Sequence, residues 1–255
     1  MLESDGTFHP FGDASNHRNA SVQAAVQLSS NSDGSGCWVL DRSGIITVFG
    51  SAQHFGDLSS SPAELAAGEH PSTMSVMPND TGYWIFTTRG RAINFRAAQH
   101  HGDVSHLQLA GPVIASVATP SGNGYHQVGS DGGIFTNGDA VFYGSVPEVL
   151  PGVTLNEPVV GISSTPTNDG YWLVAGDGGV FSFGEAPYRG SVPAVLPTGV
   201  NLAAAVNGMV AYGNGYLLVA GDVGVFEFSD LSFLGSLGAT PLDSLVVAIT
   251  ALRAG

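Results

Sequence analysis

The sequence predicts an all-β protein assembled from repeated units, and three observations carry that prediction. Residues 170–184, GYWLVAGDGGVFSFG, recur in degraded form from Gly36, Gly82, Gly124 and Gly215, at spacings of 42–46 residues. Self-similarity at that period is the mark of a repeat architecture. Within each unit, short apolar or small-residue runs are bounded by Gly, Pro, Asn or Asp, which are strand and turn signals. No stretch sustains a 3.6-residue apolar period, so almost no helix is expected.

The unit from Pro158 to Val192 defines the elements in order. Pro158 to Thr165 is an apolar run with small residues, and Gly170 to Ala175 is aromatic and branched. Gly179 to Gly184 alternates apolar and small residues, and Tyr188 to Val192 forms a fourth short segment. Asp177-Gly178 joins the second and third segments, as in a tight hairpin whose two central residues both take positive φ. Four antiparallel strands per unit is the pattern of a propeller blade. The chain ends complete the count. Ser4 to Ala14 matches Gly176 to Ala186, whereas Leu245 to Thr250 matches the first strand of the unit. The expectation is therefore one domain over residues 1–255, a six-bladed β-propeller with four strands per blade. Its blades cover 20–66, 67–108, 111–150, 157–196, 201–239, and 243–255 with 1–19. The last blade would pair residues 245–251 with residues 2–12, closing the ring without a free sheet edge.

Trp38, Trp84 and Trp172 hold equivalent positions, as do Phe49, Phe95, Phe183 and Phe228, and at one per blade they read as packing residues between sheets. The first strands carry small or polar residues, including Ala24, Gln27, Ser116 and Ser163, as expected where strands converge on an axis.

Composition narrows the function classes. The net charge is −14, with seven arginines and no lysine. An acidic chain is a poor ligand for phosphate backbones, so nucleic acid is not expected as a partner. Anionic membrane surfaces are disfavoured on the same ground. The lack of lysine excludes Schiff-base chemistry. No apolar run reaches the length of a membrane span. No signal peptide opens the chain, and Met1 aligns with Leu173 inside a strand, as expected of a mature or excised segment. Cys37 is the single cysteine and stands where Tyr83, Tyr125 and Tyr171 stand in other units, which reads as a buried structural residue.

Residues 170–191, GYWLVAGDGGVFSFGEAPYRGS, resemble the propeller-type repeat of exported actinobacterial proteins. The likeness is close in the units from Gly124 and Gly170 and weaker elsewhere. It implies an extracellular or cell-wall-associated protein with a binding or scaffolding role. In that family the repeat often accompanies cell-wall hydrolases, peptidases or other extracellular catalytic domains. The resemblance brings no set of catalytic residues.

The units from Gly36 and Gly82 depart from the common pattern, and the departures mark candidate site residues. Arg89 replaces the Asp of the common Asp-Gly turn, and Arg91 and Arg96 follow it. Such a basic patch on an acidic protein suits a carboxylate or sulfate, or else forms ion pairs with nearby acids. His54 and His100 hold equivalent positions in adjacent blades, and His101 matches His17. Imidazoles that converge bind metals. These strands would be outermost and splayed apart, and the chain has no His-x-x-x-His or cysteine pair. No cofactor is required; a bound metal is conceivable at His54, His100 and His101 without a motif behind it. Loops between blades should share a face with the hairpin turns, which would bring together Glu64, Glu69, His70, His106, Asp131, Glu148 and Asp177. Carboxylate pairs there would serve glycoside hydrolysis, or else only solubility.

The sequence reading is a non-enzymatic binding or scaffolding propeller of an exported protein, recognising glycan or a cell-envelope polymer or docking a partner domain. Its ligand would contact Arg89, Arg91, Glu64, Glu69, His70 and His106. The alternative is a hydrolase or lyase acting on a polysaccharide or small polar substrate through acids and histidines on the loop face.

Overall fold

The structure, a computed structural model, describes residues 1–12, 14, 22, 24–60, 65–197, 199–200, 202–236 and 244–250. It is all-β apart from two helices of four residues each. Three-stranded antiparallel sheets form in sequence order, each from one repeat. Sheet one contains β2 (Ala25–Ser30), β3 (Gly36–Asp41) and β4 (Ile46–Gly50). Sheet two contains β5 (Pro71–Val76), β6 (Gly82–Thr87) and β7 (Ala92–Arg96). Sheet three contains β8 (Val113–Ala118), β9 (Gly124–Gly129) and β10 (Ile134–Gly138). Sheet four contains β11 (Val159–Ser164), β12 (Gly170–Ala175) and β13 (Val180–Gly184). Sheet five contains β14 (Val206–Tyr212), β15 (Gly215–Ala220) and β16 (Val225–Phe228). The chain ends form a sixth, two-stranded sheet from β1 (Leu2–Glu3) and β17 (Val246–Ala248), with Leu2 opposite Ala248 and Glu3 opposite Val246. A bridge from Leu2 to Phe8 extends it. The expected pairing of the two ends is thus present.

The first strands lie side by side in cyclic order: β2 meets β5, then β8, β11, β14 and β17, and β17 returns to β2. Apolar clusters fill the successive junctions. Trp38, Met74 and Tyr83 pack between sheets one and two, and Trp84, Phe86 and Tyr125 between two and three. Val128, Val159 and Tyr171 follow, then Trp172, Val206 and Tyr216. Val219 and Val246 join sheet five to the closing sheet, and Leu2, Leu28, Cys37 and Ala248 join that sheet to sheet one. The three tryptophans are almost fully buried, which bears out their reading as packing residues.

Two glycines show why the motif is spelled as it is. Gly170 opens the middle strand where a Cβ would come within 2.3 Å of the Phe183 carbonyl oxygen. Gly178 takes φ +77°, and a Cβ there would meet Val192 at 2.6 Å. The hairpin is not the two-residue turn expected from Asp-Gly. The Gly178 N–H donates to Ala175 O, the Ala175 N–H donates to Gly179 O, and only the glycine has positive φ. These bonds define a three-residue loop closed by a left-handed glycine, in which Asp177 needs no unusual backbone. Its carboxylate instead accepts the Gly179 N–H at 2.8 Å.

The fourth strand is a correction in the units whose segment is described. The segments 51–57, 97–103, 139–145 and 185–191 run on after the third strand without joining a ladder. Their backbone groups are taken by side chains instead. Trp38, Trp84 and Trp172 donate through Nε1 to the carbonyls of Gln53, Gln99 and Pro187 at 2.7–2.9 Å. Tyrosines of the following sheet bind the same segments: Tyr83, Tyr125, Tyr171 and Tyr216 donate to Gly56, Gly102, Gly144 and Gly190 at 2.5–2.6 Å. Their oxygens accept the N–H groups of Phe55, His101, Tyr143 and Arg189. A polar group satisfied by a side chain has no need of a ladder partner. Two of these segments lead into α1 (Val146–Val149) and α2 (Val192–Val195).

Candidate functional site

The connections after these segments return to the hairpin turns, as expected. Leu58, Val104, Val146 and Val192 each donate a backbone N–H to the glycine carbonyl of their own sheet's turn, at Gly44, Gly90, Gly132 and Gly178. At this end of the molecule each turn also binds the next sheet. Ala25 donates to Ser4 O, Val113 to Thr88 O, Val159 to Ser130 O, Val206 to Gly176 O and Val246 to Gly221 O, at 2.9–3.2 Å. The equivalent link between sheets one and two would run from residue 71 to Arg42 O. Residue 71 is Pro, which has no N–H, so the bond cannot form. At that break lies a cleft of about 560 Å³.

Arg42, His70 and Arg89 line the cleft, with Gly68, Ser72 and Thr88 beside them. Its apolar wall is Val26, Pro71, Pro112 and Ile114. Both arginines are exposed at turns, Arg42 between β3 and β4 and Arg89 between β6 and β7. Neither makes an ion pair with a described residue. His70 is half-buried, its Nδ1 is 3.3 Å from Gly68 O, and its backbone N–H donates to Thr88 Oγ1. No carboxylate lines the cleft among the described residues.

The structure brings together only some of the residues singled out by sequence. Arg89 and His70 share the cleft, but Arg91 turns to Glu69. Arg91 Nε and Nη2 donate to the two Glu69 oxygens at 2.9 and 3.2 Å, Thr87 Oγ1 donates at 2.7 Å, and the Ala66 N–H donates at 2.9 Å. Burial alone would raise the Glu69 carboxyl, but the bonds from Arg91, Thr87 and Ala66 outweigh it and bring the pKa down to about 2. Glu69 and Arg91 therefore pair with each other, and neither lines the cleft. His106 is exposed and does not line the cleft. Glu64 lies outside the described residues, as does His17.

The histidines proposed as metal ligands stay apart. His54 Nε2 is 3.5 Å from Asp57 and His100 Nε2 is 3.6 Å from Asp103, each within its own segment. His101 packs against the rings of Trp84 and Tyr125. Among the described residues no three His, Cys, Asp or Glu side chains gather as a metal site. Asp131 and Asp177 accept the N–H groups of Gly133 and Gly179, so these acids brace turns. Cys37 is buried, and burial pushes its thiol up to about 12, the state of an inert core residue.

Sequence reasoning passed over Arg42 and Pro71. Arg42 stands where Thr88, Ser130, Gly176 and Gly221 stand, all smaller residues of the same turn. That contrast was the available signal, obscured because Ser43-Gly44 next to it preserves an ordinary turn. No protein-family model matches the chain, and no curated protein is similar enough to match it.

Proposed function

We propose that the chain is a six-bladed β-propeller that works as a non-enzymatic binding module of an exported, cell-envelope-associated protein. Its ligand is a glycan or related envelope polymer, bound at the cleft bordered by sheets one, two and three. The cyclic contact order of the first strands and the pairing of the chain ends support the propeller. The repeat's resemblance to exported actinobacterial proteins supports the setting.

One observation carries the binding site. The hydrogen-bond link between successive sheets, present at the other junctions, is lost between Arg42 and Pro71, where the cleft opens. A site for one ligand must differ from its symmetry mates, and this junction differs in backbone and in side chains. Its apolar wall beside polar groups fits the amphipathic faces of sugar rings. Hydrolysis by paired carboxyl groups would require acids at this place, and the described lining offers arginine and histidine instead.

The test is retention of the purified protein on insoluble cell-wall polymer, with soluble polysaccharides as competitors. Retention that is competed by soluble polymer and abolished by filling the cleft with Thr88→Trp supports the reading. Release of new reducing ends or unsaturated products during the incubation would replace it with the hydrolase or lyase alternative. Retention unchanged in Thr88→Trp would move the site elsewhere.

A further inference from the structure

We infer that the cleft holds an oxyanion of its ligand, a carboxylate or phosphate, between the guanidinium groups of Arg42 and Arg89. The inference rests on the reading of the cleft as the ligand site and specifies what that ligand must carry.

The argument begins with charge distribution. The chain has 21 acidic residues against seven arginines. The other described arginines are spent elsewhere or lie away from the cleft. Arg91 is neutralised by Glu69, Arg189 Nε donates to Asn214 O, and Arg96 is exposed at the end of β7. Among the described arginines, only Arg42 and Arg89 line this common cavity, from the turns of adjacent sheets, and no acid is in its described lining. Two guanidinium cations facing one space repel one another, and a bound anion removes that cost. Guanidinium groups present paired donors that match carboxylate and phosphate oxygens.

The symmetry of the fold sharpens the argument. At the position of Arg89, sheets three, four and five carry Asp131, Asp177 and Asp222, and the closing sheet carries Asp5. Charge at this turn is therefore inverted in sheet two. An anionic chain would be repelled by these four turns and attracted to the two that carry Arg42 and Arg89, which fixes where it docks. The apolar wall of Val26, Pro71, Pro112 and Ile114 shields the anion from solvent on one side and strengthens its pairing.

Calorimetric titration tests this with five probes: inorganic phosphate, oligogalacturonate, its neutral methyl ester, a glycerol phosphate oligomer, and a neutral glucan oligomer. Binding by an acidic probe should be about tenfold tighter than by the methyl ester and should weaken about tenfold in Arg42→Gln and in Arg89→Gln. Arg96→Gln should bind as the parent does, and raising salt from roughly 50 to 300 mM should weaken binding. Preference between the galacturonate and glycerol phosphate oligomers tells carboxylate from phosphate. Equal affinity for acid and ester, unchanged in both arginine variants, overturns the anion and leaves the polymer reading standing. Phosphate binding that is lost in both variants, with no oligomer bound, keeps the anion and overturns the polymer. Failure of every probe overturns both.

Discussion

The Tyr83 hydroxyl donates to the Gly56 carbonyl at 2.5 Å, and its oxygen accepts the Phe55 N–H at 3.2 Å. A side chain of sheet two thus fastens the terminal segment of sheet one. Tyr125, Tyr171 and Tyr216 repeat the relation at the next three junctions. Tyr83→Phe should keep the packing and lose both bonds, leaving backbone groups short of a partner. The expected cost is about 1–3 kcal/mol, read from urea unfolding with an unchanged slope. Tyr212→Phe, which loses one exposed bond to Ser232, should cost less than about 0.5 kcal/mol. Equal effects from the two changes would show that the junction bonds are not special.

Cys37 occupies the same position in sheet one, buried beside Leu2 and Ala248. With its thiol held near 12 by burial, it should not react with a disulfide reagent at pH 8 until the protein unfolds. Cys37→Ser should lower stability by about 1–2 kcal/mol, since a buried hydroxyl lacks a ready partner, and should leave polymer binding unchanged. Labelling at the rate of a free thiol in the folded state would contradict the burial.

Much of this architecture was legible because the repeat records it directly. Gly170, Tyr171, Trp172 and Gly178 each answer a steric or hydrogen-bonding demand that recurs in several of the sheets, so their spacing revealed the units and the split closing sheet. The fourth segment misled because its composition is strand-like while its bonds go to tryptophan and tyrosine side chains of distant sequence. At the site, Arg89 stood out as a departure from the repeat and His70 as a residue of the loop face. Arg91 looked equivalent to Arg89, yet its partner Glu69 lies 22 residues earlier, a distance over which no local pattern speaks. Pro71 was invisible because its effect is a bond that fails to form across a sheet junction.

Glu69 should give the fold an acid-labile component. Its folded pKa of about 2 lies below the unfolded value near 4.5, so the native state holds the carboxylate more strongly. That stability is fully present above about pH 4.5 and is lost as pH falls through about 2. Glu69→Gln should destabilise at neutral pH by roughly 1–3 kcal/mol, because Arg91 loses its counter-charge, and should flatten the acid limb of the stability profile. Parallel limbs in parent and variant would mean that the pair does not titrate as placed.

His126 should add a second pH effect at higher pH. It stands where sheets one, two and four have tryptophan, and its Nε2 donates to Val141 O at 2.9 Å. Its ring packs on Tyr171, and Nδ1 is buried with no partner. Burial holds its pKa below the ordinary 6.5, against smaller raising effects of the Val141 bond and Asp139. The unfolded chain therefore takes up the proton first, and stability falls as pH drops below about 6.5 until the folded imidazole also titrates. His126→Trp should keep the carbonyl bond and remove this slope, measured as melting temperature between pH 7 and 5. A slope retained in the variant would assign the effect to another group.

The pairing of the chain ends is open to a direct covalent test. Leu2 is opposite Ala248, both are buried, and Glu3 accepts the Ser244 N–H at 2.8 Å. Directly paired antiparallel residues have Cα atoms about 4.5–5.5 Å apart, within disulfide reach. In a Cys37→Ser background, Leu2→Cys with Ala248→Cys should oxidise to a single intramolecular bond, giving a compact species on a non-reducing gel. The bond spans nearly the whole chain, so it should raise stability by about 2–4 kcal/mol. Deleting residues 244–255 should have the opposite effect. It removes the partners of Leu2 and Glu3 and the Val246 link to Gly221, baring strand edges that invite aggregation. Formation of intermolecular dimers in place of the internal bond, together with an unaffected truncation, would show that the ends do not meet within one molecule.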